Sequence, residues 1–266
     1  EVRAAGGLDV RAQRSIVRFS GDLEAAYRVL MHSRVAQRVL VEISTAPCHG
    51  REALYEVVRA VPWAEHVGQG GTIAVRFTGR SEEIRRTTFG AQVVKDGLCD
   101  RLREDTGQRP DVDRRDPDLR IHAHLEDGRV ALSLDLSGES LHRRGYRPPG
   151  ARAPLKENLA AGILILAGWP EAAARGEPLV DIMCGSGTLA VEGALVAAGV
   201  APGLLRERWG FQAWRGHEPT IWQAVLSEAR AADRREESDG AAARVFAWDG
   251  DGEAIAQTRR AARSAW

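Results

Sequence analysis

The stretch Leu179–Glu192, LVDIMCGSGTLAVE, holds residues whose types and spacing suit chemistry. An apolar run ends in Asp181, Cys184 follows, Gly185 and Gly187 flank Ser186, and a helical pattern opens at Thr188. Glycine carries no Cβ, so such a turn lets a ligand approach the backbone at the carboxyl end of a strand. A tight turn that binds nothing can show the same GxG. No lysine follows the glycines, which excludes a P-loop, and Gly185-Ser186-Gly187-Thr188-Leu189-Ala190 lacks the third glycine of the dinucleotide fingerprint. A phosphate-free nucleoside is the favoured ligand class. A second acid, Asp249, closes the apolar run before Gly250 and Asp251, where folds of this type hold ribose hydroxyls. Solvated loop acids are the competing reading.

A second chemical feature lies upstream. Between Leu141 and Lys156 stand Arg143, Arg144, Arg147, Arg152 and Lys156 with no acid among them, a local surplus that suits phosphates. Tyr146 within the run could stack on an unpaired base. The same residues also read as a plain solvated linker. His122 and His124 share a strand face, but no third ligand is spaced to join them, so no metal site is expected. Cys48, Cys99 and Cys184 form no CxxC pair, so neither a disulfide framework nor a zinc ribbon is expected. Trp209, Phe211 and Trp214 read as packing anchors.

The elements that position these residues follow from periodicity. Apolar letters at helical spacing predict a helix within Gly21–Val41, capped by Asp22. Thr72–Gly79 alternates like a half-buried strand, and Gly90–Thr106 reads as a helix. Leu119–Leu125 and Arg129–Leu136 form a hairpin across Glu126-Asp127-Gly128. The glycines and prolines of Ser137–Arg152 mark a linker. Beyond it come a helix over Pro154–Ala167, a short apolar strand Pro178–Ile182, helices over Thr188–Ala198 and Thr220–Glu236, a strand over Arg244–Asp249 and a final helix. Strand and helix in alternation open a parallel α/β sheet.

Composition bounds the class. Of 266 residues 44% are apolar and 28% charged, and no apolar stretch reaches the ~18 residues of a membrane span, so a soluble globular protein of about two domains is expected. The 37 basic and 37 acidic side chains cancel, so an anionic partner must be met by a local patch. Only Lys95 and Lys156 are lysines. The cytoplasm is the default compartment, since no basic-then-apolar leader opens the chain. Glu1 stands where a Met would begin, which points to a processed, trimmed or incomplete N-terminus.

Taken together, Asp181–Leu195 (DIMCGSGTLAVEGAL), Ala201–Trp214 (APGLLRERWGFQAW), Phe89–Asp113 and Leu132–Arg147 resemble the THUMP-containing RNA guanine-N2 methyltransferases, closest to the bacterial 23S rRNA enzymes. The resemblance covers about Gly21 to Trp266. It implies an α+β N-terminal region, ferredoxin-like over 1–50 and THUMP-like over 51–140, then a basic linker over 141–153. The start of a Rossmann-like class I methyltransferase domain follows over 154–266. It also implies S-adenosylmethionine as cofactor, held by Asp181, Cys184, Gly185, Ser186, Gly187, Thr188 and the ribose acid Asp249. Pro154, Leu155, Lys156 and Glu157 match the helix that closes one side of that pocket. RNA, rRNA before tRNA, is the implied partner, with no metal and no membrane.

The implied reaction is methylation of guanosine N2, with a tRNA enzyme or a non-catalytic THUMP-type RNA-binding module as alternatives. One departure stands out. The family's Asn/Asp-Pro-Pro-Tyr/Phe turn, which accepts the guanine amine, is absent, and the Pro148-Pro149 pair follows Arg147 in the linker. No catalytic residue is therefore assigned, and the chain reads as a fragment or as a sequence with stretches missing.

Overall fold

The computed structural model describes residues 1–13, 15–147, 150, 154–235 and 244–266. The chain runs β1 (Leu8–Ala12), β2 (Val17–Ser20), α1 (Leu23–His32), β3 (Leu40–Pro47), α2 (Gly50–Arg59), β4 (Thr72–Gly79), α3 (Thr87–Thr106), β5 (Asp111–Val112), β6 (Leu119–Glu126) and β7 (Arg129–Asp135). It continues with α4 (Glu157–Leu166), α5 (Trp169–Ala174), β8 (Leu179–Asp181), α6 (Thr188–Ala197), α7 (Pro219–Ala231), β9 (Val245–Ala247) and α8 (Gly252–Ala265). Two compact units result: Arg38–Glu139 with Arg208–His217, and Glu1–Gln37 with Ser140–Glu207 and Glu218–Trp266.

The first of these is a five-stranded sheet in the order β3-β7-β6-β4-β5. Along β6 the apolar side chains Leu119, Ile121, Ala123 and Leu125 are buried while Arg120, His122 and His124 alternate with them on the other face. The expected hairpin is present: Glu126 pairs with Arg129 across Asp127 and Gly128, both at positive φ, the geometry of a two-residue type I′ turn. Helices α2 and α3 pack on each other, and α3 packs on β4. A Cβ on Gly90 would lie 2.7 Å from the Phe77 ring, so glycine sets how closely α3 approaches β4. Trp209 and Phe211 are buried in this unit, as packing anchors should be, while Trp214 is half-buried and donates from Nε1 to His66 Nδ1 at 3.2 Å.

The helix expected through Gly21–Val41 is shorter. Asp22 caps it by accepting the Ala25 N–H at 2.8 Å, but it ends at His32, and Leu40 already begins β3, which pairs with β7. The ladder contacts made by β3 override the helical spacing of Val35 and Val39. The second unit holds the antiparallel pair β1–β2, α1 and the parallel pair β8–β9 with helices α4 to α8. The first part of the expected linker is packed: Leu141 and Tyr146 are buried, and Tyr146 packs with Val191, Leu195, Val200 and Ala261, while Pro148, Pro149 and Arg152 lie outside the described residues.

Burial, reinforced by Arg76, His124 and Arg38, holds His122 down to about 4. An unfolded histidine titrates near 6.5, so between these values the unfolded chain takes up a proton that the folded one refuses. Stability is therefore expected to fall as pH drops from about 6.5 towards about 4. His122→Gln should flatten that limb in a plot of urea midpoint against pH, and an unchanged slope would contradict this.

Candidate functional site

Strands β8 and β9 pair in parallel, Leu179 with Val245, Val180 with Phe246 and Asp181 with Ala247. The ladder continues past the strand ends: the Trp248 N–H donates to the Asp181 carbonyl at 2.8 Å and the Cys184 N–H to the Trp248 carbonyl at 2.9 Å. This brings the two predicted acids and the glycine turn to one end of the sheet. One carboxylate oxygen of Asp249 accepts the Gly185 N–H at 2.9 Å, and the other accepts the Asp251 N–H at 2.9 Å. The N–H groups of Asp251 and Gly185 hold its carboxyl below the usual carboxylate range.

The two glycines serve different ends. Gly187 has φ +80°, and a Cβ there would lie 2.6 Å from Thr258 Cγ2 on α8. Backbone conformation and helix contact both demand glycine at that position. Gly185 has φ +54°, and among the described residues beyond its two chain neighbours no heavy atom lies within 4 Å of where its Cβ would be. The space over it is open, as a site for close approach to backbone requires. Asp181 accepts the Met183 N–H with Oδ1 at 3.3 Å, while its Oδ2 is buried without a partner among the described residues. Ser186 is half-buried.

Other expected contacts point elsewhere. Cys184 is 8% exposed and its Sγ lies 3.5 Å from Thr258 Oγ1, so its side chain belongs to the packing under the turn. Thr188 is 4% exposed and its Oγ1 accepts from Arg147 Nη2 at 3.3 Å. Both leave only backbone for a ligand. Pro154 and Leu155 are half-buried ahead of α4, and the Leu155 carbonyl accepts from the same Arg147 Nη2.

The basic run is largely withdrawn from solvent. Arg144 is 1% exposed, donating to the carbonyls of Leu141 and Arg34, with its Nε 3.6 Å from Glu192 Oε1. Tyr146 is 2% exposed and donates to Glu192 Oε1 at 3.0 Å, which leaves no ring face for a base. Neither can serve as the RNA contact expected from sequence, because both are committed to a buried carboxylate. Arg147 pairs with the buried Glu157 at 3.2 Å. Arg143 and Lys156 remain exposed, and Arg152 lies outside the described residues. Sequence reasoning missed Glu192; its signal was a lone acid inside the apolar helix TLAVEGALVA, a position that needs a buried partner. Among the described residues no group of three His, Cys, Asp or Glu side chains could hold a metal. No helix among them is long and apolar enough to cross a membrane.

Three family models divide the chain. Residues 144–266 match the RMKL-like methyltransferase domain, 50–135 the THUMP domain and 1–40 the RlmL ferredoxin-like domain. The chain thus carries THUMP and RMKL-like methyltransferase domains as those models define them. It is 54% identical over 231 residues to a ribosomal RNA large subunit methyltransferase K/L of Stutzerimonas stutzeri, covering 87% of this chain and 32% of that protein. A protein of the same name from Syntrophotalea carbinolica is 48% identical over 265 residues, 100% of this chain and 37% of its own length. The chain thus spans about a third of the curated relatives it matches.

Among solved structures, a predicted N6-adenine-specific DNA methylase from Listeria monocytogenes aligns over 100% of this chain and 67% of its own, with a TM-score of 0.85 and 26% identity. A putative methyltransferase complexed with SAH aligns over 99% of this chain and 67% of its own, with a TM-score of 0.83 and 25% identity. The fold is therefore the one expected: ferredoxin-like and THUMP parts followed by part of a methyltransferase fold.

The geometry separates the two glycines experimentally. Gly185→Ala is expected to cost about 1–2 kcal/mol from its left-handed φ alone, and Gly187→Ala roughly 1–3 kcal/mol more because the added methyl overpacks against Thr258. Thr258→Ser should recover part of the second loss and none of the first. Equal urea midpoints for the two glycine variants would contradict the contact.

Proposed function

We propose that the full-length cytoplasmic protein containing this chain transfers the methyl group of S-adenosylmethionine to N2 of a guanosine in 23S rRNA. The observation that carries the reading is the Gly185–Gly187 turn at the carboxyl ends of β8 and β9, tied to Asp249 and open above Gly185. The residues present fit the cofactor. Asp249 accepts backbone N–H groups on both oxygens, and the four lone-pair sites of a carboxylate leave acceptor capacity for a ribose hydroxyl. At the other side of the turn Asp181 Oδ2 has no partner among the described residues. No lysine or third glycine provides for a phosphate, in keeping with a nucleoside that carries none.

Bound S-adenosylmethionine supplies a methyl group already activated on a sulfonium, so the protein's task is placement and exclusion of water. In this chain Asp249 would orient the ribose and the backbone of Gly185 and Ser186 would lie against the nucleoside. The THUMP domain and the exposed cations Arg143 and Lys156 support RNA as the partner. The names borne by relatives at 48% and 54% identity support the large-subunit rRNA over tRNA or DNA. The group that receives the guanine amine belongs to a turn absent from these 266 residues.

In the full-length protein Asp249→Ala should weaken S-adenosylmethionine binding about tenfold or more, through loss of hydrogen bonding to a charged group. Calorimetry giving wild-type affinity would place the pocket elsewhere. The substrate is tested by mass-spectrometric mapping of N2-methylguanosine in 23S rRNA and tRNA from a deletion strain. Loss of one rRNA site, restored by the wild-type gene, is the expected result. Loss confined to tRNA would reassign the substrate, and no loss in either RNA would refute the activity.

A further inference from the structure

Arg147 reaches two segments at once. Its Nη2 donates to the carbonyl of Leu155, lies 3.2 Å from Glu157 Oε1 and donates to Thr188 Oγ1 at 3.3 Å. Leu155 and Glu157 form the entry to α4, and Thr188 opens α6 directly after Gly187. The preceding residue is fixed as well, since Tyr146 is anchored on Glu192. With 21% side-chain exposure for Arg147 and 4% for Glu157, the pair lies inside the fold.

Stability of α6 does not account for this arrangement. A guanidinium at a helix N-terminus opposes the helix dipole, and the carboxylate of Glu157 offsets that cost. A rigid guanidinium suits the role because its donors are fixed in one plane, whereas a lysine ammonium is a flexible point charge.

We propose that Arg147 is a positioning residue that holds the entry to α4 against the Gly185–Gly187 turn, shaping the S-adenosylmethionine pocket instead of binding RNA. This rests on the reading of the turn as the cofactor site. Glu157 is the partner that makes the hold sensitive to pH. Burial raises its carboxyl, Arg147 and Arg144 favour the charged form, and Glu192 opposes it. Protonation of Glu157 breaks the ion pair, so cofactor affinity is expected to fall as the solution is acidified towards that raised value.

The test measures S-adenosylhomocysteine binding by calorimetry in the full-length protein, with melting curves to confirm folding. Arg147→Met should bind about tenfold more weakly or worse, the loss of one hydrogen bond to a charged group, and Arg147→Lys should recover part of the loss. The slope of log affinity for rRNA against log salt should not change in Arg147→Met. A fall of about 0.7 in that slope is the mark of a lost phosphate contact and would overturn the proposal. Should Arg147→Met fail to fold, the isosteric Glu157→Gln carries the test: it is expected to flatten the pH dependence of binding, and undiminished pH dependence overturns the proposal. Wild-type protein that binds no S-adenosylhomocysteine overturns the cofactor reading along with it. Wild-type binding with folded variants of equal affinity overturns the positioning role alone.

Discussion

A carboxylate with no exposure to solvent constrains everything around it. Glu192 sits in the middle of α6, 0% exposed, in a helix otherwise made of alanine, glycine, valine, leucine and threonine. Burial pushes its carboxyl up, and Arg144, Arg34 and the Tyr146 hydroxyl pull it back down. Removing one partner from a buried pair of this kind typically costs about 3–5 kcal/mol, because a charge is then left uncompensated. The segment 144–147 therefore turns inward to meet α6. Once Tyr146 and Arg144 are anchored there, Arg147 follows into contact with Leu155, Glu157 and Thr188, beside the turn that faces the open space over Gly185.

Much of the fold was legible because its signals are local. Alternation in Leu119–Leu125 and Arg129–Leu136, with Asp127-Gly128 between them, specifies a hairpin through strand periodicity and turn chemistry alone. The strand ending at Asp181 and the helix from Thr188 were equally visible, because a glycine pair between an apolar run and an alanine-rich helix has few other solutions. Strand β3 was not legible: Leu40–Pro47 owes its conformation to pairing with β7, about ninety residues away, and local propensity yields to such pairing. Helix α2 was missed with it.

The site was legible in its backbone and less so in its side chains. Gly185, Gly187, Asp181 and Asp249 lie together at the ends of β8 and β9. Charge run and aromatic, by contrast, were read as a surface because arginine and tyrosine are usually solvated, and nothing local says which of five cations has a buried carboxylate waiting. Only Glu192, stranded in an apolar helix 46 residues beyond Tyr146, carried that information. A cationic stretch next to an apolar helix with a single acid is better read as a pair of buried partners before it is read as a nucleic-acid patch.

The same inward turn connects fold and proposed chemistry: one buried acid sets the segment, and the segment sets the walls of the turn. A crystal structure of the full-length protein with S-adenosylhomocysteine tests this most directly. Ribose hydroxyls within hydrogen-bond distance of Asp249, adenosine over Gly185, and Arg147 still bridging Leu155, Glu157 and Thr188 are the expected result. Ligand bound away from the Gly185–Gly187 turn, or Arg147 swung out to solvent with the ligand in place, would contradict it.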